Sequence, residues 1–523
     1  MAFADDLILA IRGDSARLVE NYSNGELCKI TAWAARNKVR FNDEKSKVML
    51  VTRRKRKESR AIKVYLNNKP LEQVTTMKYL GIILDHKFTF KDHISYAAER
   101  CATLIHSLSR SAKVTWGIKH EALKTIYKGA ILPLLLYGAP VWIDAMQYEY
   151  NQRKYIRVQR MINILTAKAF RTTSTEALCI LAGITPIIIK AEEAAKMYHA
   201  RKTKPSHSQE IDNTLDYKDW PHPADYPTIT ISEDNKSPII QAYTDGSKSE
   251  HGVGSGAAIF IGTKIAAQIK FKLDKRCSNN QAEQLAIIKA LESIDTLNTE
   301  ESNPRTATVY TDSRLTIDSL RNPDNHAYLI EEIRRRVAKL QGANWKIEFL
   351  WVKAHAGIHG NELADKLAKE AARNEHTDVA FRRIPISTLY QEIQQESIQR
   401  WQKEWENCTK AAITKQYFPT VQERLKTKMR VTQNIAAMMT GHGKTRAYLH
   451  RFKILENATC PCEQGDQTID HLLYQCTLLE PQRQKTKKKA IKAGHWPASK
   501  QQLITKHRDS FLTFIESIDF DQL

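Results

Sequence analysis

From about His93 to His199, apolar residues recur at helical spacing, as at Ala122, Ile126 and Ala130, and the pattern predicts a succession of helices. From Ile239 the period changes. β-favouring runs at Ile239–Thr244, Gly256–Ile261, Ala307–Thr311 and Trp345–Val352 alternate with helical stretches until Arg373; one such stretch places Ala282, Leu285, Ile288, Leu291 and Ile294 on a common face. Between the two regions, residues 202–237 lose hydrophobic periodicity and gather Pro, Ser, His, Asp and Asn, which reads as a linker. Residues 384–450 are helical and polar, with Trp401, Trp405, Leu425 and Met429 to pack, and read as a helical connector. The most apolar run, Ile131 to Trp142, is broken by two prolines and is shorter than a bilayer span, so it is expected in a buried core.

Composition changes this picture in two ways. A chain of 523 residues is too long for one compact core, so several domains are expected. Lys and Arg outnumber Asp and Glu by 80 to 58, and a surplus of 22 positive charges favours a polyanionic partner such as nucleic acid. Ribosomal, chromatin and membrane-surface proteins share that balance, so it bounds a class only. The eight cysteines are scattered except for Cys460, Cys462 and Cys476, which excludes a disulfide-stapled secreted framework and fits a reducing, intracellular compartment. The opening residues, Met1 to Asp6, lack the basic and apolar regions of a signal peptide.

Four acidic residues sit where elements meet. Asp245-Gly246 ends the first strand-like run, and alone it reads as a turn. Glu283 follows Asn280 by three residues at a helix start, the pattern of a capping box. Asp312 stands at a strand-to-helix junction, where an N-cap is expected. Asp365 follows a loop with His355 and Gly357 and could pair with Lys369 on a helix beginning at Asn361. Each has an ordinary explanation, but together they suggest convergence on one point. Carboxylates completed by phosphate oxygens suit Mg²⁺, and a pair of such ions can activate a water and stabilise the leaving oxygen of a phosphodiester.

The set Thr244-Asp245-Gly246-Ser247, Asn279-Asn280 with Glu283, Thr311-Asp312-Ser313, and Trp351 to Gly357 followed by Asn361-Glu362 and Asp365 resembles type 1 ribonuclease H. The resemblance covers residues 238–373 and implies a mixed five-stranded sheet with helices on both faces. It implies that Asp245, Glu283, Asp312 and Asp365 hold two divalent ions, Mg²⁺ or Mn²⁺, that the RNA strand of an RNA–DNA hybrid is cut, and that 3′-hydroxyl and 5′-phosphate ends result. His355 matches a loop histidine that assists proton transfer or product release. Asn279 and Asn280 become candidates for minor-groove contacts with the hybrid. In place of the basic, Trp-containing protrusion of some relatives, Ala327 to Gln341 reads as a short helix carrying Arg334, Arg335 and Arg336.

The flanks extend the resemblance. Phe3-Ala4-Asp5-Asp6, then Lys45-Ser46-Lys47 and Lys78-Tyr79-Leu80-Gly81, resemble palm and primer-grip segments of reverse transcriptases from non-LTR retrotransposons. This implies a partial palm over residues 1–92, with Asp5 and Asp6 as a polymerase remnant, and a thumb-like region over 93–201. The further metal-binding aspartate that such polymerases place upstream is missing, so no polymerisation by this chain alone is expected, and the palm strands should be left with open edges.

Toward the other end, beyond a connector over 374–454, the tail 455–523 carries Cys460, Cys462, His471 and Cys476, a ligand set for one structural, tetrahedral Zn²⁺. The single residue between Cys460 and Cys462 is tighter than in the usual knuckle. The basic runs Arg53 to Lys57 and Lys485 to Lys489 read as nucleic-acid contacts, as a nuclear signal, or as solvated surface. The whole is expected to be a multidomain α/β chain: a hybrid-cutting nuclease within the C-terminal part of a retrotransposon polyprotein, bound to nucleic acid and not to membrane. The rival reading is a catalytically inactive, transposon-derived nucleic-acid-binding protein.

Overall fold

The computed structural model describes residues 2–51, 61–111, 118–202, 211–212, 214–232, 239–297, 305–374 and 378–523; the run Arg53 to Lys57 and Pro238 lie outside them. The chain divides into two units, Met197–Gln395 and a second made of Met1–Lys196 with Glu396–Leu523.

The first of these is built on a mixed sheet. Strands β1 (Ile240–Ser249), β2 (Gly252–Ile261) and β3 (Lys264–Leu273) form an antiparallel meander; β4 (Arg305–Thr311) lies parallel to β1, and β5 (Trp345–Trp351) parallel to β4. Helices α1 (Asn279–Asp295), α2 (Arg314–Arg321), α3 (Tyr328–Gly342) and α4 (His359–Arg373) connect and cover the strands. Alternation along β1 sends Ile240 and Ala242 into a core with Leu285, Ile288 and Leu291 of α1 and Ile333 and Val337 of α3. Tyr243 points to the other face, toward Phe260 and Leu367 of α4.

Strand β2 is buried on both faces for almost its whole length, and its Gly-Val-Gly-Ser-Gly opening has a direct cause. A β-carbon on Gly254 would lie 2.2 Å from the Ala368 carbonyl oxygen, and one on Gly256 2.3 Å from that of Ala364. The glycines let α4 lie against the strand backbone. The helix answers with small residues of its own, Ala364, Ala368, Ala371 and Ala372.

Two expectations change here. The sheet has seven strands, because Thr230–Ile231 adds parallel to β5 and Val379–Phe381 adds parallel to β3. Strands of two and three residues carry no readable period, and they cover edges that a five-stranded sheet would leave open. The stretch expected to be a plain linker is therefore partly structured: besides Thr230–Ile231, Ile211–Asp212 pairs with Ile384–Pro385, and the Trp220 ring stacks on His326 at 3.8 Å between centroids.

In the second unit the described N-terminal residues form only two-stranded pairs and no palm sheet. Ala2–Phe3 pairs with Asp6–Leu7 and with no other described strand; Asp5, in its turn, and Asp6, opposite Phe3, are exposed. Thr76–Tyr79 and Ile82–Asp85 make a hairpin whose turn residues Leu80 and Gly81 both have positive φ, 45° and 83°. Helices Lys91–Ser111 and Glu149–Ala167 pack around Ile94, Cys101, Trp142, Tyr155 and Ile162. The apolar run contributes Ile131, Leu135, Ala139 and Trp142 to this core, as expected of it. Among the described residues no single helix is long and apolar enough to cross a membrane; the bent pair His120–Leu136 and Ala139–Gln147 meets that test by length and composition alone.

A further core joins what the sequence sets apart. Leu178, Leu181 and Ile189 pack with Trp401, Trp405, Tyr417, Ile435 and Met438, and with Leu473 and Phe511. The expected thumb, connector and tail thus share one hydrophobic interior, and the sheet-bearing unit is inserted between its two halves.

Candidate active site

The parallel pairing of β1 with β4 runs in register from Ile240 opposite Ala307 to Thr244 opposite Thr311. Asp245 and Asp312 are the next residues of the two strands' chains. Asp245 is not at a strand end, as its Asp-Gly dipeptide suggests. β1 continues to Ser249 along β2, with Asp245 opposite Gly256, and only its parallel neighbour stops. Asp245 therefore lies on a continuous strand, beside the point where the sheet opens.

Helix α1 brings Glu283. Its N-cap is Ser278, whose side chain accepts from the Gln281 N–H while Gln281 bonds back to the Ser278 N–H, so the capping box lies two residues earlier than Asn280 and Glu283 imply. Glu283 is left free of capping. Its carboxylate is held by Asn279, which donates through Nδ2 to Oε1 at 2.7 Å; Asn280 is exposed. A β-carbon on Gly246 would lie 2.6 Å from the Glu283 nitrogen, so β1 and the start of α1 are in close contact here. The same substitution of roles occurs at α2, where Ser313 is the N-cap and accepts from the Thr316 N–H. Asp312 is spared for other work. Its carbonyl accepts from Trp351 Nε1 at 3.0 Å, and the Arg314 guanidinium lies 4.1 Å over the Trp351 ring.

Asp365 arrives on α4, which begins at His359, two residues before the Asn361 expected from sequence. A β-carbon on Gly360 would lie 2.2 Å from the Tyr243 ring, so the first turn of α4 rests on the residue two before Asp245. Lys369 Nζ holds Asp365 Oδ2 at 2.6 Å in the expected pair.

The four carboxylates repel one another. Asp245 is 7% exposed, and burial first, then Asp312, Asp365 and Glu283, push its carboxyl up to about 7 against the Gly246 N–H that it accepts at 2.7 Å. Burial also raises Glu283, reinforced by Asp312 and opposed by Ser313 and Asn279. Asp312 is raised by burial and by Asp365, against its own backbone and the His355 charge. One buried and three half-buried carboxylates, with Lys369 on Asp365 as the cation paired to them among the described residues, form an environment that a hard cation relieves.

His355 is exposed on the loop before α4, in the left-handed region at φ 52°, with Gly357 at φ 77°. Of the three arginines in α3, Arg334 is buried and bonds Glu331 at 2.7 Å and the Asn325 carbonyl at 2.7 Å; Arg335 pairs with Glu332, and Arg336 with Glu292 and Glu332. The short basic helix is thus tied into its own domain.

The other ligand cluster gathers as expected. One ligand atom each from Cys460, Cys462, His471 and Cys476 lie within 4.8 Å of one another. Cys460 Sγ is 3.8 Å from Cys476 Sγ, and Cys462 Sγ is 3.1 Å from His471 Nε2. Burial opposes ionisation of Cys462, yet the Gln464 N–H, Cys460, His471 and Cys476 outweigh it and hold the thiol down at about 6. The cluster belongs to the shared helical core and not to a detached knuckle, with Cys460, Cys476, Leu472 and Leu473 inside it.

Several positions shape the site in roles the sequence does not announce: Ser278 and Ser313 as caps, and Gly246, Gly254, Gly256 and Gly360 as points of close contact. The period-two spacing of Gly252, Gly254 and Gly256 is a readable signal, since it puts all three on one face of a strand.

A ribonuclease H family profile matches residues 237–373. The chain is 33% identical over 143 residues to "Ribonuclease H" of Neorickettsia sennetsu, covering 25% of this chain and 90% of that protein. It is 30% identical over 219 residues to "Putative 115 kDa protein in type-1 retrotransposable element R1DM" of Drosophila melanogaster, covering 42% of this chain and 20% of that protein. With "Retrovirus-related Pol polyprotein from type-1 retrotransposable element R1 4" of Nasonia vitripennis it shares 29% identity over 215 residues, 38% of this chain and 54% of that one. The chain thus spans a fifth of one retrotransposon relative and about half of the other.

Proposed function

The chain belongs to the ribonuclease H family through residues 237–373, and we propose that this domain hydrolyses the RNA strand of RNA–DNA hybrids with two divalent cations, in the service of retrotransposon reverse transcription. The observation that carries the reading is Asp245, buried among Asp312, Asp365 and Glu283 with its carboxyl raised to about 7. These four side chains would hold Mg²⁺ or Mn²⁺. Bound there, the ions supply an activated water and charge stabilisation at the leaving oxygen.

The remaining roles belong to the chain. Asn279 fixes the Glu283 carboxylate by its 2.7 Å bond, and its helix end, with exposed Asn280, faces the hybrid's minor groove, where 2′-hydroxyls distinguish RNA from DNA. His355, on an exposed loop whose charge reaches Asp312, carries protons to and from the reaction. Cys460, Cys462, His471 and Cys476 hold one structural Zn²⁺ with no open position. The N-terminal segment is a polymerase remnant. Asp5 and Asp6, exposed on a two-residue hairpin, are not expected to support primer extension by this chain.

The test is cleavage of a labelled RNA–DNA hybrid in Mg²⁺ by the full chain and by Asp312→Asn. Metal-dependent cleavage lost in the variant supports the proposal. Hybrid binding without cleavage by the wild-type chain overturns it in favour of an inactive binding protein.

A further inference from the structure

The helical unit contains an open groove of about 630 Å³ away from the zinc ligands, between helix His120–Ile126 with the turn that continues it and the chain from Arg424 to Arg430. Lys124, Lys128, Arg424, Lys428 and Arg430 line it, against the single carboxylate of Glu121; no Phe, Tyr or Trp does, and the one ring in the lining, His120, is buried with Nδ1 2.8 Å from the Thr166 carbonyl. Two of the cations converge on one point. A β-carbon on Gly183, which ends helix Thr175–Ala182 in the left-handed conformation at φ 60°, would lie 3.0 Å from Lys124 Nζ and 3.5 Å from Arg424 Nη2.

Arg424 is 3% exposed. Its Nη1 donates to the Thr427 carbonyl at 3.0 Å and its Nη2 to that of Leu181 at 2.6 Å, but its Nε has no partner. Among the described residues no carboxylate pairs with this buried guanidinium. Lys124 is held down at about 8 by burial, then by Arg424 and Lys128, with Glu121 opposing. Among the described residues, Lys124, Lys128, Lys428 and Arg430 make no ion pair, whereas elsewhere in the unit cations such as Lys190 and Lys500 are paired. Folding alone gives no reason to gather these charges, because like charges this close destabilise the folded state.

We propose that this groove binds phosphate groups, those of a nucleic-acid strand's backbone. An anion supplies the counter-charge the cluster lacks, and with no Phe, Tyr or Trp in the lining and His120 buried against the Thr166 carbonyl, the groove offers no exposed ring for bases to stack on and reads the backbone. Lys128, Lys428 and Arg430 are exposed and bear on the ligand, while Arg424 and Lys124 form the inner wall.

The test uses the full chain carrying Asp312→Asn, so that no probe is cut. Binding of a labelled twelve-nucleotide single-stranded DNA is measured by anisotropy over a salt series, with inorganic tripolyphosphate as competitor. The triple variant Lys128→Gln, Lys428→Gln, Arg430→Gln removes only exposed, unpaired charges. A second triple variant, Lys403→Gln, Lys410→Gln, Lys453→Gln, removes equal exposed charge from elsewhere in the same unit. The proposal expects the first triple to weaken DNA binding at least tenfold and to lower the slope of log affinity against log salt by about two, the second to change affinity less than twofold, and both to melt as the parent does. If tripolyphosphate binds the parent and loses affinity in the first triple while DNA binding is untouched, the phosphate site stands and its source is a free polyphosphate. If neither probe distinguishes the first triple from the parent, or if both triples weaken DNA equally, the groove is no site and net charge alone is at work.

Discussion

Thr244 and Thr311 lie opposite each other in a parallel strand pair, so the aspartates that follow them, Asp245 and Asp312, leave neighbouring strands at the same level. The backbone ladder, not side-chain flexibility, sets their approach. Glu283 and Asp365 are then brought up by helices that touch β1, one at Gly246 and the other through Gly360 on Tyr243.

On the proposed reading, replacing either strand carboxylate would remove a cation ligand while relieving repulsion. Asp312→Asn is expected to lower single-turnover cleavage of a hybrid by about 10³-fold or more, the equivalent of several kcal/mol of transition-state stabilisation. Metal-free hybrid binding, followed by anisotropy, should be unchanged or tighter. A variant that cuts at the parent rate would remove Asp312 from the reaction.

The raised carboxyl of Asp245 has a defined sign. Its folded value, about 7, lies above that of an unfolded aspartate, so the folded state keeps a proton that the unfolded one releases. This term opposes folding increasingly as pH rises from about 4 and is fully felt above about 7. On the proposed reading Mg²⁺ would displace that proton. Calorimetric titration should show weaker Mg²⁺ binding at pH 6 than at pH 8, with proton release at pH 6 revealed by buffers of different ionisation heat. Equal affinity at both values would contradict it.

Gly256→Ala tests how α4 is seated. The new β-carbon would meet the Ala364 carbonyl oxygen at 2.3 Å and the Ala368 nitrogen at 2.5 Å, both backbone atoms, so the helix carrying Asp365 must move. A loss of about 1–3 kcal/mol in denaturant unfolding is expected, with cleavage reduced further than stability accounts for. Gly262→Ala meets nothing within 4 Å but sits at φ 59°, and should cost stability without affecting cleavage in the remaining folded protein.

Arg334→Met leaves Glu331, 2% exposed, without the guanidinium at 2.7 Å and facing only His326 at 3.0 Å. Breaking such a pair from one side costs about 3–5 kcal/mol, so the variant should unfold at markedly lower denaturant. Arg335→Met, whose partner pair is at the surface, should change stability by less than about 1 kcal/mol.

Zinc removal by chelation, or Cys476→Ser, is expected to lower the stability of the helical unit by on the order of 4 kcal/mol or more, because the ligands lie inside its core. Metal analysis should return one zinc per chain for the parent. Hybrid cleavage should persist, since the sheet-bearing unit has a core of its own.

The ribonuclease H-like fold, and the nearness of Asp245 to Asp312, Asp365 and Glu283, are legible because they rest on local pattern: period two in the strands, period 3.6 in α1, and short motifs at the junctions. The roles of single residues were less so. Asn280 with Glu283 has the spacing of a capping box, but Ser278 and Gln281 compete for the same helix end and hold it. A neighbouring serine caps α2 as well, and this freed Asp312. The strands Thr230–Ile231 and Val379–Phe381 escaped notice because two or three residues show no period. The union of Leu181 with Trp405 and Met438 could not be read at all, because nothing local marks a contact between residues more than two hundred positions apart.

That union has a consequence for synthesis. A ribosome that has made Leu178, Leu181 and Ile189 must add about two hundred residues, some 10–40 s of elongation, before Trp401 and Trp405 emerge to cover them. During that interval the inserted nuclease has its complete sequence and can fold, while the apolar faces made earlier wait in solvent. The newborn chain is therefore most in need of a chaperone after its nuclease is already formed, and a truncation that spares the nuclease but removes the residues beyond Gln395 should yield an active enzyme that aggregates.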